Sequence, residues 1–274
     1  MALFTGNIRF TSTDAAQDDN KGNVYYDDSE AQLKHYNGSN WANVNRNINY
    51  DRPGDGLYDV DGDTSLLIHS DTSNDSTTFA DSSSGTTHVI TRSNALHKTA
   101  QAKIGATSMY FDGDGDYLTI PAHNDWDFGT GAYTIEMWIK TAGTQQGSWL
   151  INQADSDTGI RLCIGSNGSG SGAQGLQMNE QVSNTDSIID GTTTVNDDDW
   201  HHVVVTRAAS GGSTKIYVDG TLDGTGEANK NFDNNNIMYI GTRYGHGGNY
   251  FQGYIDELRI SKGIARWTSN FTVY

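Results

Sequence analysis

Thr134-Ile135-Glu136-Met137-Trp138-Ile139-Lys140 decides the fold class. Ile135, Met137 and Ile139 fall on one side of an extended chain, with the polar residues and Trp138 on the other, the period-2 pattern of a half-buried strand. Lys215-Ile216-Tyr217-Val218 alternates in the same way and runs into Asp219-Gly220, a turn pair. His202-Val203-Val204-Val205-Thr206 is apolar without a break, as a strand covered on both faces would be. Further strands are expected at 65–69, 108–111, 117–120, 148–152, 160–164, 237–241 and 254–260. No helical periodicity persists beyond a turn or two. The pattern predicts an all-β protein, a two-sheet antiparallel jelly-roll sandwich with a small N-terminal β module.

The composition agrees. With 32 Gly, 2 Pro, 14 Tyr and 6 Trp in 274 residues, the chain suits short strands, polar turns and a few large aromatic anchors. The formal charge of −17 opposes nucleic-acid backbones and anionic membranes, so neither is an expected partner. It favours divalent cations. Cys163 is the single cysteine, which excludes an intrachain disulfide and a cysteine-cluster metal site. Within Arg161-Leu162-Cys163-Ile164 it reads as a small core residue rather than a nucleophile. Met1-Ala2-Leu3-Phe4-Thr5-Gly6 lacks the basic and apolar regions of a signal peptide, so synthesis in a cytoplasm is expected.

Residues 1–62 and 63–274 differ in texture. The first region offers only Asn7-Ile8-Arg9-Phe10, Asn23-Val24-Tyr25-Tyr26 and Gln32-Leu33-Lys34-His35-Tyr36, closed by Asn37-Gly38 and Trp41. Asn-Gly favours a tight hairpin because both residues accept positive φ. Such a region buries too little apolar surface to stand alone. It is expected to anchor the chain to a partner or to another copy of itself, as a homo-oligomer.

Six segments, in this order, resemble the pentraxin-like laminin-G type of the concanavalin A-like lectin superfamily. They are Ser65-Leu66-Leu67-Ile68-His69-Ser70-Asp71, Ser108-Met109-Tyr110-Phe111-Asp112-Gly113 with Asp116-Tyr117-Leu118-Thr119-Ile120-Pro121, Tyr133 to Trp138, Asp199-Trp200-His201-His202-Val203, Ile216 to Gly220, and Gly253 to Ser261. The stretches Lys21 to Asp27 and Leu33 to Trp41 resemble short modules of tailed-phage virion and fibre proteins, and Gly263 to Thr272 is similar to the endings of phage proteins of this type. The resemblance implies a jelly-roll sandwich in a virion accessory protein: a head decoration, head fibre or tail fibre component. Its partners would be other virion proteins, and its location the virion. The alternative is a free carbohydrate-binding module or lectin.

It also implies calcium at the sandwich rim, through Asp71, Asp81 and Asp256; as bare sequence, those residues serve equally as turn caps. Trp138 and Trp200 read as packing residues. His201 and His202, adjacent on a strand, face opposite sides and cannot share a metal. Gly170 to Gly175 matches a dinucleotide fingerprint only as a string, with no helix behind it. Asp59 to Asp63 and Asp112 to Asp116 open like calcium loops, but twelve-residue EF-hand spacing fails in both. Glucanases on this sandwich carry alternating carboxylates on one strand. Here Glu136 stands alone and Asp256-Glu257 are adjacent, so no catalytic residue is assigned and an enzyme is not expected.

The run Arg243-Tyr244-Gly245-His246-Gly247-Gly248-Asn249-Tyr250 should sit at the rim, ahead of the Asp256 strand. Two readings stay open. Arg243, Tyr244, His246, Asn249 and Tyr250 could contact a cell-surface glycan, rings on sugar faces and polar groups on hydroxyls. Alternatively, the tyrosines cover the end of the core.

Overall fold

A computed structural model describes strands within residues 24–43, and residues 60–273 apart from short stretches at 144–146, 154–158, 166–173, 183–184, 210, 229–230, 233–235 and 247. Two compact units divide between Tyr50 and Asp51. The first contains β1 (Val24–Asp27), β2 (Gln32–Tyr36) and β3 (Trp41–Asn43) in one antiparallel sheet.

In the second unit the chain begins with β4 (Thr64–Ile68), β5 (Thr91–Ser93), β6 (Leu96–Lys98), β7 (Ser108–Asp112), β8 (Tyr117–Ile120) and β9 (Tyr133–Ala142). It continues with β10 (Ser148–Asn152), β11 (Gly159–Ile164), β12 (Leu176–Val182), β13 (Thr185–Asp190) and β14 (Asp197–Arg207). The last are β15 (Ser213–Val218), β16 (Thr221–Ala228), β17 (Met238–Ile240) and β18 (Gln252–Lys262). One sheet has seven strands in the order β13-β12-β11-β10-β17-β8-β5. The other has eight, β16-β15-β14-β9-β18-β7-β6, with β4 also pairing β18. The expected all-β sandwich is what forms. Asp61, upstream of the expected boundary at 62, is gripped by the sandwich through two 2.9 Å bonds from Arg266.

The core lies between the sheets. Ile135, Met137 and Ile139 of β9 face Leu150, Leu162 and Met178 of the seven-stranded sheet, all at most 1% exposed. Each such side chain contributes about 1.5–3 kcal/mol by leaving water. Trp138 is buried too, but on the outer face of the eight-stranded sheet, where Lys103 Nζ sits 4.1 Å from its ring centroid.

That outer face is covered by the C-terminal segment. Trp267 stacks on Phe271 at 4.4 Å, and both rings meet His202 edge-on. The Phe271 N–H donates to the Gly220 carbonyl at 2.9 Å. Gly220 has φ +75°, and any Cβ there would run into the Phe271 carbonyl, so this turn needs glycine for the tail as well as for itself. His202 therefore faces the tail while His201 faces away, as adjacent strand residues must.

His201 has its own partners. Nδ1 lies 2.7 Å from Asp219 Oδ2 and Nε2 3.0 Å from Asp197 Oδ1. These hydrogen bonds, Asp219 first, lift the imidazole from 6.5 to about 9. A raised histidine stabilises the fold fully below pH 6.5 and loses that contribution as pH passes about 9. A His201→Gln variant should therefore melt below the parent at pH 6, and the gap should close by about pH 10. A gap that stays constant across that range would contradict this assignment.

Candidate functional site

The seven-stranded sheet carries its polar side chains on the outer face. Cross-strand register sets Asn179 opposite Arg161, Arg161 opposite Asn152, Asn152 opposite Tyr239, and Tyr239 opposite Thr119. Paired residues in an antiparallel ladder share a face, so these five form one continuous row across five strands. Their strand neighbours Leu162, Met178, Ile151, Ile240 and Leu118 point the other way, into the core. Asn152 and Asn179 are only 2% and 3% exposed. Asn179 Oδ1, Trp149 Nε1 and Thr242 Oγ1 are buried with no hydrogen-bond partner among the described residues. Buried polar atoms in that state are unusual.

The Arg243–Tyr250 loop connects β17 of one sheet to β18 of the other and lies beside this row. Asn152 Oδ1 accepts the Tyr244 N–H at 3.2 Å. The Tyr244 ring stands edge-on to Tyr239 at 6.3 Å and remains 63% exposed. Tyr250 lies parallel to Tyr117 at 6.5 Å. Asn249, at φ +58°, uses its carbonyl to accept the Trp149 N–H at 3.3 Å. Arg243 is exposed, and the side chain of His246 lies outside the described residues. Burial raises the Tyr239 phenol above its usual value, and the neighbouring Tyr244 and Tyr117 add to the effect. Sequence alone pointed to Tyr244 and Tyr250. It missed the floor, because Asn152, Arg161, Asn179 and Tyr239 sit at ordinary outward positions of four separate strands.

Cys163 lies on the same face, fully buried, its Sγ 3.6 Å from the Gly165 carbonyl. Burial pushes its thiol up to about 12, which removes it as a nucleophile.

The three aspartates expected to hold calcium serve the backbone instead. Asp256 Oδ2 accepts the N–H groups of Lys103 and Ile104 at 2.9 and 3.0 Å, and Oδ1 accepts that of Glu257 at 3.0 Å. Asp71 Oδ1 accepts the Ala106 N–H at 2.8 Å. Asp81 fastens a different segment, taking N–H groups from Leu67, Ser83 and His88. Asp71 and Asp256 thus grip the same 103–106 stretch, while Asp81 holds the 81–88 turn to β4. Among the described residues, the groups that converge as metal ligands are His88, His123 and Asp125, and not these aspartates. All three carboxyl groups thus accept backbone N–H groups.

The family model for the concanavalin A-like lectin/glucanases superfamily matches residues 112–266. No curated protein matches the sequence. Among solved structures, the fold is similar to domain 4 of AbnA, a GH43 extracellular arabinanase from Geobacillus stearothermophilus, in complex with arabinotriose. That likeness has a TM-score of 0.55 at 17% identity, over 74% of this chain and 93% of that one. The binding domain of Paraclostridial Mosquitocidal Protein 1 gives 0.56 at 13% identity, over 73% and 49%. The binding domain of botulinum neurotoxin DC, in complex with SialylT, gives 0.54 at 15%, over 74% and 48%. The chain spans about half the length of those two toxin domains. Among the described residues, no helix is long and apolar enough to cross a membrane.

Proposed function

Because the chain belongs to the concanavalin A-like lectin/glucanases superfamily, we propose that it is a non-enzymatic saccharide-binding protein whose site is the outer face of the seven-stranded sheet beside Tyr244. The observation that carries this reading is the register row Asn179-Arg161-Asn152-Tyr239-Thr119 with an exposed tyrosine at its flank. Amides and a guanidinium read hydroxyls, while a tyrosine ring covers the C–H face of a pyranose or furanose. The arabinotriose complex of the arabinanase domain is a precedent for sugar on this fold.

Absence of catalysis is supported by the state of the strand carboxylates. Glu136 is fully buried against Arg259, and Glu257 is fully buried with its two oxygens 2.9 Å from His69 Nδ1. Neither is available to a substrate as nucleophile or acid. The resemblance of residues 21–41 and 263–272 to phage proteins supports a finer reading, a tailed-phage virion accessory protein. In it the N-terminal unit attaches to virion proteins and the sandwich is displayed toward host glycans.

A glycan array that includes arabino-oligosaccharides and sialylated glycans tests the site. Intact protein should bind, and Tyr244→Ala should weaken binding about tenfold, equivalent to ~1.4 kcal/mol. No binding by the parent, or equal binding by both, would remove the site. Antibody to the sandwich should label purified particles; unlabelled particles would favour a free lectin.

A further inference from the structure

We propose that His88, His123 and Asp125 form a binding site for a zinc-type divalent transition metal. His88 lies in the segment between β4 and β5. His123 caps the 3-10 turn Asn124–Trp126, and Asp125 lies within that turn. One donor atom from each of the three residues falls within 4.8 Å of the others. His88 Nε2 is 2.9 Å from Asp125 Oδ2, and His123 Nδ1 is 3.1 Å from the same oxygen. In a tetrahedral zinc site with bonds near 2.0–2.1 Å, neighbouring ligand atoms stand about 3.3 Å apart. The two separations, 2.9 and 3.1 Å, are within a few tenths of an ångström of that. The His123 side chain is 39% exposed, so its ring has room to close the remaining gap.

The hydrogen bonding points the same way. His123 Nδ1 accepts the Asp125 N–H at 3.2 Å, so this nitrogen carries its lone pair rather than a proton, and a metal would take the place of that hydrogen bond. Asp125 Oδ2, 3.1 Å from that nitrogen, presents lone pairs as well. His88 Nε2 stands 2.9 Å from the same oxygen and can donate to it. A cation shared by all three side chains would replace these contacts with metal–ligand bonds. Two imidazoles and one carboxylate select zinc or a neighbouring transition metal over calcium, whose ligands are oxygens. Three protein ligands leave a fourth position for water. The site is preformed on one side: His88 is 8% exposed, its ring lies 4.6 Å from the fully buried Trp126, and its backbone N–H is held by Asp81. This gives Asp81 a part in metal binding, as the support of a ligand-bearing turn. Bound metal would clamp that turn to the β8–β9 connection.

The test uses the full chain freed of metal by chelation. Zinc at a hundredfold above its Kd should raise the melting temperature by about 5–10 °C. Cobalt(II) should give the intense visible bands of a tetrahedral complex. His123→Ala and Asp125→Asn should each fold, by circular dichroism, and lose both responses. Absence of both responses in the parent, or their retention in both variants, would overturn the proposal.

Discussion

Replacing Arg259 with alanine should destabilise the sandwich by about 3–5 kcal/mol, because it strands a charge that has no route to water. Glu136 on β9 is directly opposite Arg259 on β18, and its side chain is fully buried. Arg259 Nε and Nη2 both reach Glu136 Oε1 at 2.6 Å. His202 Nε2 lies 3.4 Å from the other oxygen, and Arg266 Nε stands 3.8 Å away. Burial pushes the Glu136 carboxyl up, yet the Arg259 charge, then His202 and Arg266, outweigh it and hold the group below its usual 4.5. A depressed carboxylate stabilises the fold above that value and loses its contribution as pH falls further. For a unit of this size, the loss of Arg259 corresponds to a fall of about 6–20 °C in melting temperature. The double change Glu136→Leu, Arg259→Met should recover most of it, since apolar replacements of a buried ion pair are often neutral. If Arg259→Ala melted within a degree or two of the parent, the pair would not be what secures these strands.

Asp256→Ala should be comparably damaging, for a different reason. Its carboxylate is the acceptor for three backbone N–H groups, those of Lys103, Ile104 and Glu257. Glu257 has φ +47° at the point where the β18 register shifts against β9, so Asp256 holds a bulge and a loop together. A donor left without a partner costs about 1–3 kcal/mol where it is buried, as the Glu257 N–H is, and less for the part-buried Lys103 and Ile104 N–H groups, which gives a loss of about 2–4 kcal/mol for the set. Burial lifts the Asp256 carboxyl to about 8 against the pull of those donors. A raised acid favours the fold most when protonated. This group's contribution therefore declines between about pH 4 and pH 8 and is level above that. Thermal melts should report the same loss with calcium and with chelator. A deficit that appeared only in calcium would return Asp256 to a metal-binding role.

Much of the sandwich was legible because one face of each central strand is buried. Ile135, Met137 and Ile139 alternate for that reason, and so do Ile216 and Val218. The strands β13 and β16 escaped notice. Thr185–Asp190 and Thr221–Ala228 are mostly polar or glycine, and flank the sheets where little apolar surface is needed. The candidate sugar site was half legible. Tyr244 and Tyr250 advertise themselves in a glycine-rich run, whereas the row beneath them exists only once five strands pair. The same holds for His88 and His123, which no local spacing joins. Asp256 was legible as a special residue, but not as an acceptor for backbone N–H groups, since two of its three donors come from a distant loop.

The position of β18 also bears on how the molecule is made. This strand is nearly the last in the chain, yet it lies at the middle of its sheet, between β9 on one side and β7 and β4 in succession on the other. Ile68, made early, waits for Leu258. A nascent chain on the ribosome therefore carries three strands with open edges until Gln252–Lys262 emerges, and only then can the sheet close. Closure of this sheet therefore depends on long-range pairing. The net charge of −17 opposes association of such incomplete chains.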